Sequence, residues 1–287
     1  MGTGMLLIAC VLAVQQLEAM LIKRYGEKHG EGGMVFNGII CLFAMVYFFI
    51  TDQGGLHFPG KIWGYGLLNS LMYAVGFYST YVAIKSGSFA LTRLFISFSV
   101  MIPTFYGILI LNESASTMTY VALGMILVSL FLMHYQKGEG NGQKVTSKWV
   151  LNVVLAVLAN AALVIIGRVQ FGAFGDTYKN EFLILSLGGA AVVLFALGIL
   201  MERNSFKATI RYGLLYGAGA GVFNGINNLL TLVTYNYLPL SVSSPIKSGL
   251  GIVFSFSLSL FLYKEKFSKT QFLSVMIGIL AVVLMNL

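Results

Sequence analysis

The sequence predicts an all-α polytopic membrane protein whose ten transmembrane helices form two inverted five-helix repeats. Three observations lead there. Apolar runs of about 17–25 residues, each long enough to cross roughly 30 Å of hydrocarbon, recur along a 287-residue chain that is 57% hydrophobic and 10% charged. The alternation in segments of about ten residues that marks a closed barrel is absent, so these runs must satisfy their backbone groups as helices. The halves on either side of a central polar segment also look alike. Five spans in each half force the second repeat to sit inverted relative to the first.

The first span, 4–23, opens on the unbroken apolar run Met5–Val14 and closes on Lys23 and Arg24. It lacks the basic leader and small-residue cleavage site of a signal peptide, and is expected to be retained. Spans at 34–51, 62–84, 89–111 and 117–135 complete the first half. "QKGEGNGQKVTS" at 136–147 is polar and Gly-rich and reads as the linker. Spans at 148–170, 180–201, 211–235, 241–263 and 269–287 form the second half. The expected domains are therefore 1–135 and 148–287, joined by 136–147.

Internal similarity supports this division. "GYGLL" at 64–68 opens the third span and "RYGLL" at 211–215 opens the eighth. The segments at 105–133 and 256–285 each run through a long span, a short hinge bearing Glu113 or Glu265, and a closing span with Gly124 or Gly278.

The net charge of +8 does not indicate nucleic acid, because the basic residues sit in short connections. Connections 1–2, 3–4, 5–6, 7–8 and 9–10 hold 13 of the 18, and the opposite side holds Lys61, Arg168 and Lys179. The positive-inside rule then places both termini away from the cytoplasm, in what is expected to be a bacterial inner membrane. Cys10 and Cys41 fall in apolar runs, and His29, His57 and His134 lie near span ends. Neither a disulfide framework nor a metal site is indicated, and no cofactor is expected.

Several polar residues interrupt the spans, and each has a structural reading beside a functional one. Lys247 lies about seven residues into the ninth span beside Ser243, Ser244, Pro245 and Ser248. A lysine at the bilayer centre costs roughly 2.5–3.5 kcal/mol, so it either snorkels to the interface or faces a wet cavity. Arg93, four residues into the fourth span, is an interfacial arginine or a second cavity cation. Two cations around one cavity would favour an anionic group. Glu18 precedes Lys23 by five residues and shares a face with Gln15. It is either an interfacial carboxylate paired with a base, or a proton-coupling group or amine partner.

Asn224, Asn227 and Asn228 fall at i, i+3, i+4 in the eighth span, where they bridge helices or bind a polar solute. Gly213, Gly217 and Gly221 in the same span recur every four residues, a helix-packing pattern. Tyr73, Phe77, Tyr78 and Tyr81 make an aromatic wall on the third span, for packing or for a cavity.

The ninth and tenth spans, "PLSVSSPIKSGLGIVFSFSLSLFLYKEKFSKTQFLSVMIGILAVVLM", together with the paired halves, resemble the ten-helix members of the drug/metabolite transporter superfamily. "LAVQQLEAMLIKRYGEKHG" is similar to the first helix of small multidrug-resistance transporters. Aligned on Lys23, their embedded Glu falls on Gln15, and Glu18 follows one turn later. Gln15 spaced from "RY" at 24–25, with "IKSG" at 246–249, is similar to nucleotide-sugar transporters, in which such a lysine meets a substrate phosphate. Ten-helix members usually keep both termini in the cytoplasm, whereas the charges here say the reverse.

The resemblance implies a secondary transporter working by alternating access, with a central cavity lined by spans 1, 3, 4, 6, 8 and 9. The expected cargo is a small polar metabolite with an anionic group, an amino acid or organic acid. Lys247, Arg93, Glu18, Gln15, Asn224, Asn227, Asn228, Tyr78 and Tyr81 are the expected substrate-binding residues, and Glu18 the proton-coupling one. The alternative is a proton-coupled cation or multidrug exporter using Glu18. No enzyme is expected, since the spans hold neither a metal cluster nor a nucleophile set. The partners expected are the solute and the lipid bilayer, not nucleic acid, with the chain a monomer or homodimer.

Overall fold

The computed structural model describes residues 2–30, 33–52, 54–87, 92, 95–134, 146–261 and 269–285. Arg93, Glu265 and most of the linker lie outside them. Among the described residues there are ten α-helices and no strand: α1 Gly2–His29, α2 Met34–Thr51, α3 Gly60–Ser86, α4 Met101–Leu109, α5 Thr117–His134, α6 Ser147–Phe174, α7 Lys179–Met201, α8 Phe206–Thr234, α9 Leu240–Phe261 and α10 Lys269–Met285. A 3-10 turn, Phe98–Val100, leads into α4. α1, α2, α3, α6 and α7 are long and apolar enough to cross a membrane by length and composition. The 29-residue α8 has the length, but its glycines and asparagines dilute its hydropathy. The chain is an all-α, polytopic, integral membrane protein.

Helix ends follow local chemistry. α1 continues six residues past the expected span to His29 and stops where Gly30 adopts φ 84°, a conformation that glycine enters without a Cβ clash. α6 stops at Gly175, φ 57°, whose N–H bonds the Phe171 carbonyl at 2.7 Å. α6 runs four residues past the expected span end of 170, to Phe174, with Arg168 inside the helix.

The helices group into two compact units, each drawing on both halves of the sequence. One contains residues 1–12, 79–161 and 237–287, and the other 13–78 and 162–236. In the first, Ile8, Leu12, Leu123, Ile126, Leu130, Ile246, Val275 and Val282 form the core. Ser129 and Ser274 donate to each other's backbone carbonyls at 2.7 Å, clamping α5 to α10. Trp149 Nε1 donates to Thr92 Oγ1 at 2.9 Å.

In the second unit, α2 and α7 pack antiparallel. A Cβ on Gly198 would meet Val35 Cγ2 at 2.5 Å, one on Gly38 would meet the Phe195 ring at 3.3 Å, and one on Gly188 would meet Met45 Sδ at 2.6 Å. These are the second helices of the two halves, so their antiparallel packing is the inversion of the repeat. Two glycines matched in the sequence occupy matched places: Gly66 of "GYGLL" abuts Leu185 on α7, and Gly213 of "RYGLL" abuts Phe36 on α2. Gly213, Gly217, Gly221 and Gly225 carry α8 close against α2. A Cβ on Gly221 would stand 2.6 Å from the Ile40 carbonyl oxygen.

Two carboxylates close helix ends from elsewhere in the chain. Glu202, after α7, accepts from the Met34 and Val35 N–H groups at 2.7 and 3.1 Å, at the start of α2. Within the first unit, Glu113 accepts from the Leu240 and Ser241 N–H groups at 3.0 and 2.7 Å, at the start of α9. Asn112, at φ 52°, makes the turn that delivers Glu113. Each carboxylate satisfies two orphan donors and meets the positive end of a helix dipole. Truncating either is expected to cost about 1–2 kcal/mol. Glu202→Ala and Glu113→Ala should each lower the melting temperature of detergent-purified protein, and Glu→Gln should lower it less.

Candidate functional site

The second unit has two chemically distinct ends. At one, Glu202 reaches α2, Tyr25 of α1 stacks on Phe36 of α2 at 4.0 Å, and His29 stacks on Tyr212 of α8 at 4.8 Å. Lys23, Arg24, Lys28, Arg203, Lys207 and Arg211 belong to this end. At the other, the His57 N–H donates to the buried Glu181 at 3.0 Å, and Asn180 Nδ2 donates to Asp52 at 2.8 Å. Asn236 Nδ2 donates to Asp176 at 2.9 Å, and Lys179 lies 3.4 Å from Asp176. One end is rich in basic side chains, and the other sets Asp52, Asp176 and Glu181 against Lys61, Arg168 and Lys179.

Between these ends runs a chain of side-chain hydrogen bonds. Asn224 Nδ2 on α8 donates to Glu18 Oε1 on α1 at 2.9 Å. Asn228 Nδ2 donates to Asn224 Oδ1 at 3.0 Å and to the Asn224 carbonyl at 2.9 Å. Tyr73 O–H on α3 donates to Asn228 Oδ1 at 2.9 Å. The spacing of the sequence makes this possible. Residues 224 and 228 stand one turn apart on one face of α8, and three helices each present one face to the chain.

The chain has a direction. An ionised carboxylate can only accept, so Glu18 determines which way the Asn224 amide turns. That amide determines Asn228, and Asn228 leaves its Oδ1 to accept from Tyr73. In a low-dielectric interior such bonds polarise one another. A proton on Glu18 would add a donor beside its remaining acceptor oxygen and open a second orientation to Asn224 and the links after it.

The expected site residues divide accordingly. Glu18, Asn224 and Asn228 come together. Asn227 lies beside them in sequence, its Oδ1 buried without a hydrogen-bond partner among the described residues. Gln15 and Tyr78 are exposed, Tyr78 at 38%. Lys247 and Tyr81 belong to the first unit, where Tyr81 accepts a hydrogen bond from Lys85. Lys247 is half-buried on α9 two residues after Pro245. Ser241 and Ser243 precede it, their buried hydroxyls unpartnered among the described residues. Arg93 lies outside the description.

Tyr73 joins the site although the sequence shows it only as part of an aromatic stripe. Its hydroxyl, one turn from Phe77, was the available signal. Arg168, not among the expected site residues, has its guanidinium 5.6 Å from the Tyr235 ring centroid, which in turn packs against Phe171 at 5.9 Å.

Comparison with known proteins agrees with this architecture. A model of the EamA-like transporter family matches residues 2–135 and again 147–287. The chain is 24% identical over 276 residues to a protein of Listeria innocua serovar 6a named "Putative sugar uptake protein", covering 92% of this chain and 90% of the other. A solved structure titled only as the crystal structure of a protein superposes with a TM-score of 0.78, covering 98% of each chain at 11% identity.

Cutting the hydrogen-bond chain at its middle should be more damaging than trimming its end. Asn228→Leu orphans both Asn224 Oδ1 and the Tyr73 hydroxyl, at about 1–3 kcal/mol for each buried unsatisfied group. Tyr73→Phe leaves only Asn228 Oδ1 unpaired. Thermal unfolding in detergent should rank wild type above Tyr73→Phe, and Tyr73→Phe above Asn228→Leu.

Proposed function

We propose that this chain, which belongs to the EamA-like transporter family, is a proton-coupled secondary carrier of a small polar metabolite. The observation behind the reading is the oriented hydrogen-bond chain that ends on Glu18. A carboxylate held in an apolar helix bundle by a side-chain amide is suited to gain and lose a proton during a cycle. Protonation adds a donor to Glu18 beside its remaining acceptor oxygen, so Asn224 can turn its own oxygen toward it. Asn228 and Tyr73 then re-pair in sequence. Proton binding on α1 is thus felt on α3 and α8, and alternating access follows if the two states of the chain favour different openings.

Two cargo classes are supported by different observations. The amide and phenol groups suit hydroxyl-bearing solutes, in keeping with the sugar uptake named for the Listeria relative. The half-buried Lys247, with unpartnered serine hydroxyls before it, suits a metabolite bearing a carboxylate or phosphate, and Arg93 is its proposed companion.

In proteoliposomes with a pH-sensitive dye inside, the transported solute should move protons in wild-type protein. Glu18→Gln should abolish that proton movement while retaining solute counterflow. Proton movement by Glu18→Gln at the wild-type rate would refute the assignment. Lys247→Ala should reduce uptake at least tenfold for an anionic cargo and leave a neutral one unaffected.

Both termini are proposed to lie outside the cytoplasm. Six basic side chains at one end of the second unit, against Lys61, Arg168 and Lys179 at the other, support this by the positive-inside rule. In a Cys10→Ala, Cys41→Ala background, a cysteine at Lys61 should react with an impermeant maleimide in intact cells. A cysteine at Lys207 should react only after lysis. The opposite labelling pattern would reverse the orientation.

A further inference from the structure

The polar track does not end at Tyr73. Tyr65, Asn69 and Tyr73 follow one another at four-residue intervals and share a face of α3. Tyr65 packs edge-on against Phe174, the last residue of α6, with ring centroids 6.2 Å apart. The start of α3 and the end of α6 lie at the same end of the unit, where Asn180 bonds Asp52 and Glu181 bonds His57. The two helices therefore run in opposite directions. One turn inward from the Tyr65–Phe174 contact, about 6 Å along each axis, α3 presents Asn69 and α6 presents Gln170.

Both are buried, at 4% and 0% exposure. Neither Oε1 nor Nε2 of Gln170, nor Oδ1 of Asn69, has a hydrogen-bond partner among the described residues. Buried amides are ordinarily paired, and those that are not call for a specific explanation. Two at one depth, directly above a tyrosine whose hydroxyl already belongs to the Glu18 chain, share one explanation.

The geometry points to Asn69 and Gln170 as a recognition station for the hydroxyl groups of a neutral polyol or sugar, coupled through Tyr73 to Glu18. A hydroxyl donates to one amide oxygen and accepts from an amide N–H. Adjacent hydroxyls on one carbon skeleton can satisfy both side chains together, while a carboxylate has no proton to give to their oxygens. From Asn69 to Glu18 the track spans about 12 Å, one turn of α3 and one of α8. A sugar at the station would touch Tyr73 and so sense which way the chain is turned. The proposal rests on the carrier reading above and names the cargo class that the amides select.

The test is thermal unfolding of the full-length purified protein with D-glucose, D-ribose, sorbitol or L-glutamate as probe, in wild type, Asn69→Leu, Gln170→Leu and Glu18→Gln. At least one neutral probe should raise the wild-type melting temperature, and glutamate should not. Both leucine variants should match or exceed wild type without probe, since an unpaired amide is replaced by a group that needs no partner. With the probe, they should bind at least tenfold more weakly. Asn69→Ser and Gln170→Ala, which shorten the side chains without adding bulk, should weaken binding in the same way.

Leucine variants that unfold at lower temperature yet keep wild-type affinity would assign the amides to packing and overturn the proposal. So would a wild-type response to glutamate alone. If Glu18→Gln moves protons normally in liposomes, the carrier reading fails while the amide station stands or falls on the leucine variants alone.

Discussion

Hydrocarbon supplies no hydrogen bonds, and most of what is specific about this protein follows from that. A polar group within a span must find its partner in the protein. Helix interiors satisfy themselves, so the need concentrates at helix ends and at the few polar side chains within the spans. Glu202 and Glu113 meet it at the starts of α2 and α9, each accepting two backbone N–H groups. Ser129 and Ser274 meet it in the middle of a helix pair by exchanging bonds with each other's carbonyls. The Glu18 chain meets it across three helices.

The same solvent removes the hydrophobic drive that packs soluble helices, and leaves close contact to hold the bundle. Glycine provides that contact here. α8 lies against α2 along four glycines spaced four residues apart, and α7 lies against α2 and α3 through Gly188, Gly189 and Gly198. This packing brings α1, α3 and α8 near enough for Glu18, Asn224, Asn228 and Tyr73 to join. The glycine stripe and the asparagine stripe of α8 are therefore two faces of one design, the first holding the helix in place and the second facing the track.

Much of the architecture was legible because its signals are periodic and local. Span lengths, the matched "YGLL" segments and the odd number of spans per half all point to an inverted repeat, and α2 packed antiparallel to α7 displays it. The site was legible only in part. Glu18, Asn224 and Asn228 are polar residues in apolar helices, which single them out. Tyr73 is hidden in an aromatic stripe, and Gln170 sits near a helix end where a glutamine needs no comment. Glu18 was open between an interfacial and a coupling reading, and α1 runs past the expected span end at Lys23 to His29, about 16 Å beyond the carboxylate.

The sequence by itself determined that the chain is a membrane-embedded helix bundle, how many helices it has, and where polarity interrupts them. Those properties depend on composition and on spacing along one helix. Only the tertiary structure decided which interruptions belong together. Contact between Glu18 and Asn224 joins residues 206 positions apart, and the pairing of Asn228 with Tyr73 spans 155. The direction of the hydrogen-bond chain likewise needed all four groups in place, because each amide takes its orientation from the neighbour before it and the carboxylate orients the first.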